Sequence, residues 1–323
     1  RTTARSAHGQ CSIDYGFWGG VVPGNSRELE PMVREGVLGF KCFLIESGVS
    51  EFPMCREEDL QIAMPILARL GVPLLVHAEV DDGAIPAGRA DSRRYQDYLE
   101  SRPQNWETQA IEMMIRLAGQ TGCHVHIVHL SAADALPALK RARAQGVPIT
   151  AETCPHYLHF EAESIHDGAT PFKCAPPIRE RANRERLWQG LEDDTIDFIV
   201  SDHSPCTPAL KKLEAGLFEP AWGGIAGLQL SFNVIWTEAR KRGLSVGWLS
   251  ERMSARVARF AGLSARKGRI AAGMDADFVV WDPDAPFVVD PTIILHRHRL
   301  TPYDGAELFG TVSETWVRGK ALS

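Results

Sequence analysis

Four residues of this chain join chemical capability to an apolar setting: Lys41, His77, His129 and Asp202. Lys41 sits between Val37-Leu38-Gly39-Phe40 and Cys42-Phe43-Leu44-Ile45, a run of strand length with the pattern of a strand covered on both faces. An ammonium buried there is costly unless it is paired or neutralised. Burial lowers a lysine pKa, and the neutral amine is a nucleophile that takes up CO2 to form a carbamate, an anionic two-oxygen metal ligand. The plain alternative is a lysine whose head snorkels out at the strand end. His77, His129 and Asp202 each close another apolar strand. Two neutral imidazoles, a carboxylate and a carbamate form a ligand set for divalent metals. Taken singly, a strand-end histidine is usually a hydrogen-bonded core residue, and an aspartate before a histidine is usually a cap. The coincidence at four strand ends carries the functional reading. His124 and His126 stand at the start of their strand and are expected to be structural or exposed, and His203 is expected to support the site rather than bind metal.

Positioning these groups requires strands, and the chain alternates strands with helices. Strands are expected over 12–18, around Lys41, over 72–79, 124–131, 148–154 and 196–203. Helices are expected over 26–36 (with Ser26 as N-cap), 56–70, within 81–102, over 107–119, 132–145, 182–190 and through most of 223–262, with Gly71 and Gly146 as stop signals. Short apolar strands with polar residues at their C-terminal ends predict a parallel α/β protein, and this many units favours a (β/α)8 barrel over an open sheet. No GxGxxG opens a helix after the first strand, which disfavours a dinucleotide fold. From about residue 264 the style changes to turn residues around short β runs. The expected domains are therefore 1–263, the barrel, and 264–323, part of a small β-sandwich.

Composition narrows the class. The 323 residues are 44% hydrophobic and 24% charged, with a formal net charge of -6. That suits a globular protein with a large core and argues against general nucleic-acid binding. No apolar run reaches membrane-spanning length, and the start lacks the apolar core of a signal peptide. The seven cysteines are scattered, with no CxxC pair, which predicts reduced thiols and a cytoplasmic protein.

Several motifs together resemble the allantoinases, within the cyclic amidohydrolases that include dihydroorotase and hydantoinase. They are Gly16-Phe17-Trp18-Gly19-Gly20-Val21-Val22-Pro23-Gly24-Asn25, Gly39-Phe40-Lys41-Cys42-Phe43-Leu44, Ser47-Gly48-Val49 with Glu51-Phe52-Pro53, Val76-His77-Ala78-Glu79, Cys154-Pro155-His156-Tyr157, Lys173-Cys174-Ala175-Pro176-Pro177-Ile178-Arg179, Ser201-Asp202-His203-Ser204-Pro205-Cys206 and Trp222-Gly223-Gly224-Ile225-Ala226-Gly227-Leu228-Gln229. The resemblance implies two divalent metal ions, expected to be zinc, bridged by a CO2-derived carbamate on Lys41. It implies that His77 and His129 bind one ion, and that Asp202 binds the other and acts as the base. It implies a substrate pocket lined by Ala175, Gly223 and Gly224, largely through backbone groups. The implied reaction is metal-assisted hydrolysis of the cyclic amide of allantoin to allantoate, by a homo-oligomer, expected to be a tetramer. A hydantoinase or dihydroorotase acting on a related ring is the nearest alternative. A non-catalytic structural relative of the same fold is the alternative from another class.

One departure from the family pattern shapes the expectation. The family's first metal motif is a His-x-His ending the first barrel strand. Here the His-x-His of the barrel region is His124-Val125-His126, on a later strand, and His296-Arg297-His298 lies in the tail. The chain is therefore expected to begin at the third barrel strand, lacking the first two, and to stop inside the small β-domain. Expressed alone, residues 1–323 are expected to be aggregation-prone and inactive, because missing strands leave open edges and uncovered apolar surface.

Overall fold

The computed structural model describes residues 6–83 and 91–322. Part of the segment expected to hold a helix after Asp81 lies outside the described residues. The rest of that segment forms a short helix, α3 (Tyr95–Glu100).

The core is a parallel sheet of six strands in sequential order: β1 (Gly19–Gly20), β2 (Phe40–Phe43), β3 (Leu74–His77), β4 (Val125–Ile127), β5 (Ile149–Thr153) and β6 (Phe198–Ile199). The connections carry helices α1 (Leu29–Arg34), α2 (Glu57–Leu70), α3, α4 (Gln104–Thr121), α5 (Leu136–Ala144), α6 (Pro155–His159) and α7 (Arg181–Glu192). After β6 come α8 (Ser231–Lys241), α9 (Val246–Ser250), a π-helical turn over Glu251–Ala255 and α10 (Arg256–Phe260). Each neighbouring pair of strands is parallel and joined by a helical crossover, the order of a (β/α) barrel wall. Among the described residues β1 and β6 are the two edges of this sheet.

Local sequence explains the main elements. Helix α2 buries Leu60, Ala63, Met64 and Leu67, the i, i+3, i+4, i+7 stripe of an amphipathic helix. The Asp59 carboxylate accepts the Arg56 N–H at its start, and Gly71 ends it in the left-handed conformation at φ 69°. Helix α4 buries Trp106, Ala110, Ile111, Met114 and Leu117 on the same principle. Strand β2 alternates: Phe40 and Cys42 are buried under the helices, while Lys41 and Phe43 face the other side and are only half-buried. The lysine is thus not inside the sheet–helix layer. It occupies the opposite face, where the polar groups of the neighbouring strands also lie.

Several expectations need correction. The first strand is not 12–18 but Gly19–Gly20, and residues 17–21 run beside β2 through bonds such as Gly19 N–H to Gly39 O (2.8 Å) and Val21 N–H to Lys41 O (2.8 Å). The glycine pair is close-packed: a Cβ on Gly19 would meet the Phe40 ring at 2.5 Å. Such a contact makes this a strand of glycines rather than of the bulkier residues before it. Ser26 does not cap its helix; Asn25 precedes the first turn, and its side chain accepts the Val22 N–H instead. Helix α6, directly after β5, was absent from the sequence reading, and residues 223–227 form a loop rather than helix.

The C-terminal part forms an antiparallel sheet of β7 (Phe278–Val288), β8 (Glu307–Val317) and β9 (Lys320–Ala321). It packs on α8. The Trp236 indole donates to Pro283 O (2.8 Å), and the Phe309 N–H donates to the Thr237 hydroxyl (2.8 Å). Among the described residues no helix is long and apolar enough to cross a membrane.

Candidate active site

The register of β2 to β4 sets the site. Lys41 lies beside Leu75, and Phe43 beside His77, so the lysine and the first imidazole are two steps apart on one face. His129 follows β4, and Asp202 follows β6. Both adopt positive φ, 42° for His129 and 43° for Asp202. Such a conformation is costly for a residue with a Cβ and persists only where the surroundings impose it. The two strand-end residues that require it are two of the four singled out from sequence.

These four groups line one cavity of about 510 Å³ together with Ala175 and Gly223. Gly224 lies just behind, closing a small neighbouring cleft. A Cβ on Gly224 would meet Ser204 O at 2.6 Å, so only glycine lets this loop approach the strand-end segment that carries Asp202. His124, His126 and His203 do not line the cavity. His126 is fully buried, stacked on Phe198 at 5.0 Å, and lies 3.1 Å from the Glu152 carboxylate. His124 contacts the Thr150 hydroxyl at 2.9 Å. The His203 ring accepts the Leu228 N–H (3.2 Å) and so ties down the end of the Gly223–Gly227 loop.

The two imidazoles face each other, with His77 Nδ1 and His129 Nε2 3.1 Å apart. His77 Nε2 is 2.8 Å from the Glu79 carboxylate, which also receives Nε and a terminal nitrogen of Arg102 at 3.1 and 2.7 Å. Glu79 has no solvent exposure. Burial raises its pKa, but Arg102 and His77 outweigh that and hold it down at about 2. A carboxylate fixed in this way accepts a hydrogen bond from His77 Nε2–H, which keeps the proton on Nε2 and leaves the Nδ1 lone pair facing the cavity. Burial holds both imidazoles below their ordinary pKa, His129 well below, so both are neutral. His129 Nδ1 is buried without a hydrogen-bond partner among the described residues.

This arrangement fits a divalent cation. Two nitrogens bound at about 2.0–2.1 Å to one tetrahedral ion lie roughly 3.3 Å apart, close to the 3.1 Å between His77 and His129. Asp202 and the imidazole pair line the same cavity but do not all fall within 4.8 Å of one another. Burial raises the Asp202 pKa to about 6, with Lys41 opposing and Glu152 adding to the rise. Burial likewise lowers the Lys41 pKa, against the pull of Asp202 and Glu152. The Lys41 ammonium nitrogen lies 4.9 Å from the centre of the Phe43 ring, which itself stacks on His77.

The walls of the cavity are held from behind. Glu107 accepts Nε and a terminal nitrogen of Arg179 on one oxygen (3.1 and 2.7 Å) and the Ser131 and Ala132 N–H groups on the other (3.0 and 2.9 Å). That fixes the segment just after the strained His129. Lys211, 4% exposed, donates to the carbonyls of Lys173 (2.9 Å), Trp222 (3.0 Å) and Gly224 (2.6 Å), joining the two pocket loops. Sequence reasoning missed Arg102, Glu107 and Lys211. Nothing in their local spacing marks them, since each acts on a segment tens of residues away in the chain or through backbone carbonyls.

Residues 2–322 match the family model described as the amidohydrolase family. The chain is 49% identical over 322 residues to an allantoinase of Streptomyces avermitilis, covering 100% of this chain and 72% of that protein. It is 43% identical over 332 residues to an allantoinase of Arabidopsis thaliana, covering 98% of this chain and 65% of the relative. Among solved structures it is similar to an L-hydantoinase (dihydropyrimidinase) from Arthrobacter aurescens, with a TM-score of 0.88 and 29% identity over 96% of this chain and 70% of the other. The chain belongs to the amidohydrolase family. It spans about two thirds of the length of the curated relatives it matches. Membership of this family implies a binuclear metal centre.

Proposed function

We propose that this protein hydrolyses the cyclic amide bond of allantoin to give allantoate, acting as a homo-oligomer. The observation that carries the reading is the convergence of Lys41, His77, His129 and Asp202 on the cavity bounded by Ala175 and Gly223. The relatives at 42–49% identity described as allantoinases support the choice of ring.

His77 and His129 would hold one ion and Asp202 the other, and Lys41, as a carbamate, would add two oxygen donors. Divalent ions bound there, zinc by expectation, would polarise the ring carbonyl and acidify a water. The rest follows from the chain. Burial favours the neutral amine of Lys41, which adds to CO2 and loses one proton to give the carbamate. Asp202, shifted toward neutrality, takes the proton of the attacking water and passes it to the departing ring nitrogen. The 173–175 and 222–224 loops, locked together by Lys211, hold the ring flat against the strand ends with backbone groups.

The test is a substrate panel on the purified full-length protein. Allantoin should be hydrolysed with a higher kcat/KM than hydantoin or dihydroorotate. Preference for either other ring would move the protein to that activity. Failure on all three, with no bound metal, would make it a non-catalytic member of the fold. Asp202→Asn should lower the rate by at least about 100-fold; a variant within a few-fold of the parent would remove Asp202 from the chemistry.

A further inference from the structure

Two buried lysines meet at the pocket loops, and they differ in how many protein acceptors they reach. An ammonium carries three donors. Lys211 places all three on carbonyl oxygens. Lys173, 8% exposed, donates to a single protein acceptor among the described residues, Glu219 O at 2.7 Å. Its nitrogen also lies 4.9 Å from the centre of the Tyr98 ring, whose hydroxyl donates to Cys174 O (2.6 Å) and so anchors the ring. The rest of the ammonium faces the cavities, and burial lowers the Lys173 pKa to about 8.

Its location says what those donors are for. Lys173 lines the cavity of the strand-end groups and also an adjoining cavity of about 700 Å³. The second cavity shares Glu46, Tyr98, Arg102 and Lys173 with the first but contains none of Lys41, His77, His129 or Asp202. Lys173 therefore stands at the boundary, one step out from the reacting groups. Arg102, the other cation there, is already committed to Glu79.

We propose that Lys173 is a specificity-determining residue, whose ammonium donates to the carbonyl oxygen of the ureido substituent on the substrate ring. The ring would occupy the strand-end cavity, and the substituent would point to the boundary where Lys173 lies. This rests on the reading of allantoin as substrate.

The experiment compares Lys173→Met and Lys173→Gln with the parent in the metal-loaded full-length protein. It measures KM and kcat for allantoin and the inhibition constant of unsubstituted hydantoin, which lacks the ureido group. Loss of a charged hydrogen bond should raise KM for allantoin about 10- to 100-fold in Lys173→Met, with kcat and the hydantoin constant within a few-fold of the parent. Lys173→Gln, which is one bond shorter but keeps an N–H donor, should lose less, and it carries the test if the methionine variant does not fold. An unchanged KM overturns the proposal. So does parallel weakening of hydantoin, which would mean that Lys173 only shapes the loop, or a fall confined to kcat, which would place it in the chemistry. A parent inactive on allantoin instead overturns the substrate reading, and this inference with it.

Discussion

Two gatherings of carboxylates in this molecule contrast, and the denser of them is not at the candidate site. Asp14, Asp275 and Asp277 bring their oxygens within 4.8 Å of one another where the N-terminal segment meets the small sheet, the one such trio among the described residues. Lys267 fills the space between them, 2.7 Å from Asp14 and 3.1 Å from Asp275, and also pairs with Asp277; Arg318 pairs with Asp14. These charges are solvent-facing and already neutralised, so they form a clasp. Behind β3 and β4, by contrast, Glu79 and Glu107 are each buried against one arginine and spend their remaining acceptor capacity on a histidine or on backbone N–H groups. The groups that they steady have strained backbone and neutral imidazole nitrogens. Ligand density alone would choose the wrong region. What marks the site is how much structure is committed to holding a few groups in unfavourable states.

If burial is the difference, equal chemical changes should have unequal effects. Glu107→Gln leaves the Arg179 guanidinium, 4% exposed, without its counter-charge. It should cost about 3–5 kcal/mol in denaturant or thermal unfolding, and a loss below about 1 kcal/mol would erase the contrast. Glu238, on α8 beneath the small sheet, is intermediate. Burial raises its pKa, but its contacts with His159 (3.0 Å) and Lys241 (2.9 Å) prevail and bring it from 4.5 to about 2. A carboxylate whose folded pKa is depressed stabilises the protein above its unfolded pKa and loses that contribution as pH falls through the folded value. The loss between about pH 4.5 and pH 2 should be about 3 kcal/mol, and Glu238→Gln should flatten that part of an acid-unfolding curve. An unchanged curve would show that the pair is screened. Asp14→Asn, in the exposed clasp, should change stability by less than about 1 kcal/mol. A larger shift would mean that the clasp holds the small sheet in place.

The strand-end residues were legible in the sequence because each is a polar residue ending an apolar run, and parallel topology brings such ends to one face. The order of strands was legible for the same reason. The first strand was misplaced because β1 is two glycines, residues with no strand propensity, chosen by the closeness of Phe40 and Phe52 rather than by pattern. Helix α6 was missed because it is five residues long and begins at a proline after a strand. The supports of the site were illegible in a different way. Arg102, Glu107 and Lys211 are ordinary charged residues in sequence, and their roles exist only in contacts such as Glu107 with Arg179, 72 residues apart. Lys173 was visible as part of a motif, but its place at the boundary of two cavities was not.

The central claim is that the strand-end groups hold the metal centre through Lys41. It is tested most directly by measuring metal content and allantoate formation side by side in the full-length parent and in Lys41→Ala. The account predicts that the variant loses both together, and that a short carboxylic acid restores part of each by standing in for the carbamate. A Lys41→Ala protein that keeps full metal content and full turnover would contradict it.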